Sequence, residues 1–289
     1  MTTKLGRIGV WTSIRQWPTD PDQVAEAARA LEANGYGALW LGSAPGDLAL
    51  PAAVLDATER LVVATGIVDI WTNPAPAVAV AHHRLVERHP DRFLLGLGSS
   101  HAVLVEATGE SYVKPLSRLR HFLDELDAAD PPVPADQRVL AALGPKALDL
   151  AAERSAGAHP YLVTPEYTAQ ARERLGTGPL LATEQKVVVT TDAAEARRVA
   201  RRALAIYMEL PNYLRNLRRL GFEDADFADG GSDRIVDTLV AWGDVDTVRA
   251  RVQEQLDAGA DHVALQVLWS GDPAALPLPA WQEVATALT

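Results

Sequence analysis

The sequence predicts an α/β protein, a (β/α)8 TIM barrel with a helical insertion after its seventh strand. Three observations lead there. Short apolar runs alternate with helical patterns from one end of the chain to the other. The runs are nearly continuous in apolar character, as strands covered on both faces must be. The length, 289 residues, suits a single barrel domain over 1–289, since such barrels take about 250 residues. A doubly wound open sheet is the rival. It usually needs fewer strands, and the first strand–helix turn here lacks a glycine-rich fingerprint.

The elements follow in order. Arg7 to Trp11 is the first strand. A helix begins at Pro21, with Asp20 as N-cap and proline at the first helical position. Its apolar residues Val24, Ala27, Ala28 and Leu31 hold close to the helical period, and Asn34-Gly35 ends it. Ala38 to Leu41 is the second strand, Leu48 to Leu61 reads as helical, and Leu61 to Ile70 is the third strand. Pro76 to Glu87 is helical and Arg92 to Leu97 is the fourth strand. Pro115 to Leu126 is helical, and the proline-rich stretch Asp130 to Pro134 is a stiff connector. Val139 to Leu143, Ala158 to Val163 and Lys186 to Thr190 are strands five to seven, separated by helices at Pro145–Arg154 and Pro165–Leu175. Asp192 caps a long helix that runs to Met208. Pro211 to Ser232 breaks the rhythm and reads as an insertion near the active face. Helices at 233–241 and 244–257, the eighth strand His262 to Val267 and a last helix, Pro279 to Leu288, complete the pattern.

Composition narrows the chemistry. The formal net charge is -11, a surface that repels phosphate backbones, so nucleic acid is not an expected partner. There are no cysteines, which excludes disulfides, thiolate catalysis and thiolate metal sites. No apolar run approaches the roughly 20 residues that span a bilayer, and the first residues do not resemble a signal peptide. The expectation is a soluble cytoplasmic protein with no membrane partner. No HExxH, GxSxG or GxxxxGK[ST] sequence occurs, and no metal ligand set is expected.

The most informative segment is RFLLGLGSSH, residues 92–101. A buried strand stops there in Gly96, Gly98, Ser99, Ser100 and His101. Glycine lets backbone approach a ligand, small hydroxyls add donors, and histidine titrates near neutrality. In parallel α/β proteins ligands bind at the carboxyl ends of the strands. Asp69 and Trp71 close the third strand, as acid, base or anchor and as apolar wall, or else as a turn cap and a packing residue. Gly144, Pro145 and Lys146 join the fifth strand to a helix start, where free backbone N–H groups suit an anion. His159 and Tyr161 stand at the sixth strand, where a core role for the histidine is the simpler reading. Thr164 is a helix N-cap. His82 and His83 are adjacent on a helix, do not share a face, and read as structural or solvated.

Taken together, these segments resemble the luciferase-like monooxygenase superfamily, whose TIM barrels use flavin or coenzyme F420. The resemblance covers essentially the whole chain. It rests on RIGVW, NGYGALWL, TGIVDIWTNP, HPDRFLLGLGSSH and LAALGPKALDLAAERSAG in that order. HPYLVTPEYTAQAR, LPNYLRNLRRLGF, GGSDRIVDTLVAWGD and AGADHVALQVL are similar to an actinobacterial subgroup of F420-dependent oxidoreductases.

The resemblance implies a non-proline cis peptide at Gly66–Ile67, forming a bulge behind the central ring of the deazaflavin. It places Ser43 and Asn73 near the same pocket, Gly98, Ser99 and Ser100 along the cofactor, and Gly144, Pro145 and Lys146 by its phosphate-bearing tail. It puts His101 where relatives carry an acidic proton donor, with Asp69 in reserve. Trp11, Trp71 and Tyr161 become pocket walls, and Asn212 and Tyr213 part of a cover over a small organic substrate. Relatives often carry a polar pair at the end of the second strand; here the chain reads Gly42-Ser43-Ala44-Pro45. Hydride transfer with F420 is the expected activity. FMN-dependent monooxygenation and cofactor binding without catalysis are the alternatives. Relatives pair through the second and third helices, so a homodimer through 48–58 and 75–85 is expected.

Overall fold

The computed structural model describes residues 4–288. Ten parallel strands form its sheet. They are β1 (Ile8–Ser13), β2 (Ala38–Gly42), β3 (Val62–Thr65), β4 (Val68–Asp69), β5 (Phe93–Gly98), β6 (Arg138–Leu140), β7 (Gly157–Ala158), β8 (Leu180–Val189), β9 (Val240–Gly243) and β10 (His262–Leu268). Around the ring β1 pairs with β2, β2 with β3, β3 and β4 both with β5, β5 with β6, β6 with β7 and β7 with β8; β10 closes it by pairing with β8 and β1, and β9 adds to the end of β8. The result is a closed barrel of eight parallel strands, a TIM barrel. The third barrel strand is divided into β3 and β4.

Thirteen α-helices are described: α1 (Pro21–Ala33), α2 (Ala49–Asp56), α3 (Ala75–Arg88), α4 (Ala102–Glu106), α5 (Pro115–Asp127), α6 (Pro145–Arg154) and α7 (Pro165–Leu175), then α8 (Ala193–Leu204), α9 (Pro211–Arg219), α10 (Asp224–Phe227), α11 (Asp233–Leu239), α12 (Val245–Asp257) and α13 (Leu278–Leu288). Local chemistry fixes several starts as the sequence predicts. The Asp20 carboxylate accepts from the backbone N–H groups of Asp22 and Gln23, the Thr164 hydroxyl from Tyr167, and Asp192 from Ala194 and Glu195. None of the described helices is long and apolar enough to cross a membrane.

The strand period sorts the core into two regions. Val10, Leu39, Val63, Leu95 and Leu265 face outward and pack under the helices. Trp11, Trp40, Ala64, Leu94, Val139 and Ala264 face inward. Trp40 fills the barrel centre. Its ring stacks on His159 at 4.0 Å, and its Nε1 donates to His262 Nε2 at 3.0 Å. His159 Nδ1 lies 2.8 Å from the Ala182 carbonyl and His262 Nδ1 2.8 Å from the Gly6 carbonyl. A carbonyl only accepts, so both rings carry their proton on Nδ1.

Several boundaries differ from the sequence reading. The run Leu61 to Ile70 is not one strand: it breaks at Gly66–Ile67, whose peptide bond is cis, as the resemblance implies. The sixth strand is only Gly157–Ala158: the His159 N–H still bonds to the Leu140 carbonyl, but Pro160 has no N–H to continue the ladder. The seventh begins at Leu180 rather than Lys186. Thr183, Glu184, Gln185 and Lys186 look like loop residues but are all buried within the strand. The helix 233–241 stops at Leu239, and the β-favouring residues that follow form β9 against Lys186–Val189. Beyond Leu204 the helix tightens into a 3-10 segment, Ala205–Glu209.

Three histidines are wholly or almost wholly buried: His82, His159 and His262. Burial in each case pulls the imidazole down from 6.5 to about 4. The folded state therefore binds fewer protons than the unfolded chain, so stability is fully present above pH 6.5 and is lost as pH falls toward 4. His82 has no partner on either nitrogen. Urea denaturation of His82→Leu is expected to show about 2 kcal/mol less loss between pH 7.5 and pH 5 than the parent. An identical loss would show that His82 is protonated in the fold.

Candidate active site

β5 delivers the glycine–serine–histidine segment to the mouth of the barrel. A Cβ added at Gly98 would stand 2.9 Å from Ile67 Cγ1 and 3.1 Å from the Ala141 side chain. The seam between β4, β5 and the residues after β6 therefore has no room for a side chain. Ser100 turns the chain with φ +51. The turn is pinned from outside, since Trp71 Nε1 donates to the Ser99 carbonyl at 2.8 Å and the Tyr112 hydroxyl to the Ser100 carbonyl at 3.3 Å. His101 then caps α4 without a side-chain bond. It is half-buried, its ring centroid lies 5.2 Å from that of Tyr213, and Nδ1 is buried without a partner. Burial holds its pKa below the ordinary value of 6.5, so the imidazole is neutral at pH 7.

The residues after β4 are committed to a turn. Asp69 Oδ1 accepts from the N–H groups of Trp71 and Thr72, and Oδ2 from the Thr72 hydroxyl and Asn73 Nδ2. This occupies both carboxylate oxygens, the turn-cap alternative for Asp69. Asn73 Oδ1 accepts from the Gly46 N–H at 2.7 Å and so joins the exits of β2 and β4. Ser43 is exposed beside this join, in the left-handed region at φ +59. Trp71 is half-buried and acts through its N–H as much as its ring.

Under the break in the third strand lie two polar atoms with no partner. A Cβ at Gly66 would meet Trp11 Nε1 at 2.7 Å and His159 Nε2 at 3.3 Å. Both atoms are buried and unsatisfied. One is a donor. The other, given the proton on Nδ1, is an acceptor. A buried polar atom left unpaired is uncommon, and sites that receive ligands are one place it occurs.

The other side of the mouth holds a polar cluster that the sequence reading missed. Lys186 Nζ sits 3.0 Å from Glu184 Oε1, and both side chains are fully buried. Glu184 Oε2 accepts from the Leu162 N–H at 3.0 Å, where Leu162 has φ +59. Lys186 Nζ also stands 3.8 Å above the Tyr161 ring. The Tyr161 hydroxyl donates to Gln266 Oε1 at 2.7 Å and so accepts from the Tyr207 hydroxyl at 2.8 Å. Tyr161 is thus hydrogen-bonded and not a purely apolar wall. Burial pushes its phenol well above the ordinary range, and it pulls the Lys186 ammonium down against the pull of Glu184. A run of three polar residues, Glu184-Gln185-Lys186, ahead of Val187-Val188-Val189 was the available signal.

The insertion covers this cluster. Tyr207 lies in the 3-10 segment, and Tyr213 in the first turn of α9 is buried. Their rings meet edge to face at 5.2 Å, and Trp11 and Tyr161 meet at 5.0 Å. Asn212 is half-buried beside Tyr213. On the flank, α6 starts at Gly144 with no side-chain cap and nothing within 4 Å of an added Cβ; Lys146 is exposed. Of the residues expected at the site, His101 and Tyr213 are brought together, as are Trp11, Gly66 and Tyr161, and Ile67 with Gly98.

The luciferase-like monooxygenase family model matches residues 5–129 and 121–262, and the chain belongs to that family. Among its relatives is a candidate coenzyme F420-dependent oxidoreductase of Mycobacterium tuberculosis, 27% identical over 93% of this chain and 95% of the other. The fold matches that of coenzyme F420-dependent tetrahydromethanopterin reductase from Methanopyrus kandleri (TM-score 0.74, 16% identity, 98% of this chain and 99% of the other). It also matches the oxygenating constituent of 3,6-diketocamphane monooxygenase of Pseudomonas putida, solved with FMN (TM-score 0.68, 13% identity, 98% of each chain).

The buried pair makes a direct forecast. Lys186→Met leaves Glu184 charged and unpaired and is expected to cost about 3–5 kcal/mol in chemical denaturation. Adding Glu184→Gln to that variant is expected to recover most of the loss. A small effect of the single change would mean that the pair is not buried as described.

Proposed function

We propose that this protein is a coenzyme F420-dependent oxidoreductase that transfers a hydride between the deazaflavin and a small organic substrate. The observation that carries the reading is the close-packed glycine seam at the mouth. Gly66–Ile67 and Gly98 meet there, the unpaired Trp11 Nε1 and His159 Nε2 lie beneath, and a neutral, half-buried His101 stands at the rim. These features fit a flat ring with a polar edge. Family membership and the names of the relatives support the same direction.

When bound, a deazaflavin supplies a hydride donor or acceptor on its central ring. The chain's own residues do the rest. Gly66, Ile67, Gly98, Ser99 and Ser100 hold the ring, with Ser43 and Asn73 beside them. Gly144, Pro145 and Lys146 take the phosphate of the tail at the free start of α6. His101 holds or accepts the substrate's proton, because its buried Nδ1 has no other partner and its ring is neutral at pH 7. Asp69 is spent on its turn and leaves that task to His101. Trp11, Trp71, Tyr161 and Tyr213 wall the substrate, and the insertion excludes water.

Fluorescence titration of the purified protein with F420 and, separately, FMN tests this. Tight F420 binding with weak FMN binding is expected. Gly98→Val, which drives a side chain into the seam, is expected to weaken F420 by at least about tenfold while the protein stays folded by circular dichroism. Preference for FMN would move the protein to oxygen-using chemistry, and binding of neither would overturn the assignment.

A further inference from the structure

Three tyrosines meet over the mouth, and two of them have their hydroxyls committed. The Tyr207 hydroxyl donates to that of Tyr161, and the Tyr161 hydroxyl donates to Gln266 Oε1. Tyr213 is the exception. Its side chain is buried, yet among the described residues its hydroxyl makes no hydrogen bond. That hydroxyl is also not sealed from solvent.

Against Tyr213 stands His101, with ring centroids 5.2 Å apart and planes tilted by 41°. Among the described residues the imidazole likewise has no hydrogen bond on either nitrogen. The two rings are held in place. The Tyr213 N–H bonds to the Leu210 carbonyl at 3.0 Å in the first turn of α9, and the phenol ring lies edge to face on Tyr207. Burial keeps the Tyr213 phenol well above the ordinary range, so it remains a donor across the working pH range. A neutral imidazole offers one N–H and one acceptor. An oxygen atom at the edge shared by the two rings would therefore find a donor in Tyr213 and either a donor or an acceptor in His101.

The surroundings set the chemistry of the rest of the ligand. The inward-facing charges are already matched: Lys186 and Glu184 hold each other at 3.0 Å, and Asp69 has both oxygens occupied. The rim is apolar. Six large hydrophobic side chains are exposed among the described residues, and four belong to segments that carry mouth residues. Val103 and Leu104 follow His101 on α4, 64% and 46% exposed. Val113 follows Tyr112, whose hydroxyl bonds to the Ser100 carbonyl, and Ile206 precedes Tyr207. Single exposed apolar residues are ordinary, but several around one opening mark a surface that receives apolar material. A charged ligand would lose its hydration there and meet no free counter-charge.

We propose that the mouth binds an uncharged, largely apolar molecule through one carbonyl or hydroxyl oxygen, held jointly by the Tyr213 hydroxyl and the His101 imidazole. A ketone oxygen accepts from both groups. An alcohol accepts from Tyr213 and donates to His101. Tyr213 thus touches the substrate at its polar atom and is more than a wall. That this molecule is the one exchanging a hydride rests on the cofactor reading above; the oxygen site itself does not.

Absorption titration of the full chain with para-dimethylaminoacetophenone, an uncharged ring with one carbonyl, tests the site without any cofactor. The absorption of this ketone moves to longer wavelength when its carbonyl accepts a hydrogen bond. Saturable binding with such a shift is expected in the parent. Tyr213→Phe removes only an unbonded hydroxyl and is expected to keep its thermal stability. It is expected to bind the ketone about fivefold more weakly and to lose most of the shift. A matching loss is expected in His101→Leu. The charged counterpart, para-dimethylaminobenzoate, is expected to bind the parent at least about tenfold more weakly than the ketone. No saturable binding of the ketone, binding and shift unchanged in either variant, or benzoate binding as tight as the ketone would overturn the site. A parallel titration with F420 separates the two readings. F420 binding without a Tyr213-dependent shift of the ketone overturns the oxygen site alone. No F420 binding with the shift retained overturns the cofactor reading and leaves the oxygen site standing.

Discussion

The contact between the third and fourth barrel strands governs the rest of the site. Gly96 lies so close to Thr65 that an added Cβ would overlap the Thr65 carbonyl. The Thr65 hydroxyl completes the join, donating to the Gly96 carbonyl and accepting from the Gly96 N–H, each at 2.8 Å. Two residues further on, Gly98 faces Ile67 under the same restriction. β3 and β5 can approach this closely only because one of them carries glycine at alternate positions. The approach leaves the third strand broken at Gly66–Ile67 and its resumption, β4, paired to Leu97 and Gly98. Those glycines hold β4, β5 and the residues after β6 in close contact at the mouth.

A second constraint works from the opposite wall. β8 carries Glu184 and Lys186 inward, into a barrel that is otherwise apolar around Trp40. Two charges buried together are retained only when hydrogen bonds and opposing charge compensate their lost hydration. Here the Leu162 N–H and the face of Tyr161 supply that compensation. The same contacts set where Tyr161 stands and, through its hydroxyl, where Tyr207 and the insertion rest. The position of Tyr207 thus depends, through Tyr161, on the buried Glu184–Lys186 pair.

The fold was legible in the sequence because each barrel strand is an apolar run and each helix carries a periodic apolar face. The glycine–serine–histidine exit of β5 was legible for a related reason: glycine spacing in a buried strand has few other uses. The polar residues of β8 were not. Their burial depends on partners 20 or more positions away, such as Leu162 and Tyr161, and the polar run Glu184-Gln185-Lys186 alone does not separate a buried strand from a loop. β9 was hidden because Val240-Ala241-Trp242 continues the apolar spacing of α11, and only its pairing with β8 decides between helix and strand. For Asp69 the sequence offered a proton carrier or a turn cap, and Thr72 and Asn73 three and four residues on settle it as a cap. His159 is half core residue and half site residue, since one ring nitrogen is bonded to Ala182 and the other is left free under Gly66.

The central claim is that the seam at Gly66–Ile67 and Gly98 receives a deazaflavin ring. Crystals of the protein grown with F420 test it most directly. The expected density is a planar tricyclic ring against the Gly66–Ile67 peptide, bordered by Gly98 to Ser100, with His101 within reach of the ring's open face. Well-ordered density for the ring anywhere else, or an empty seam at saturating F420, would contradict the claim.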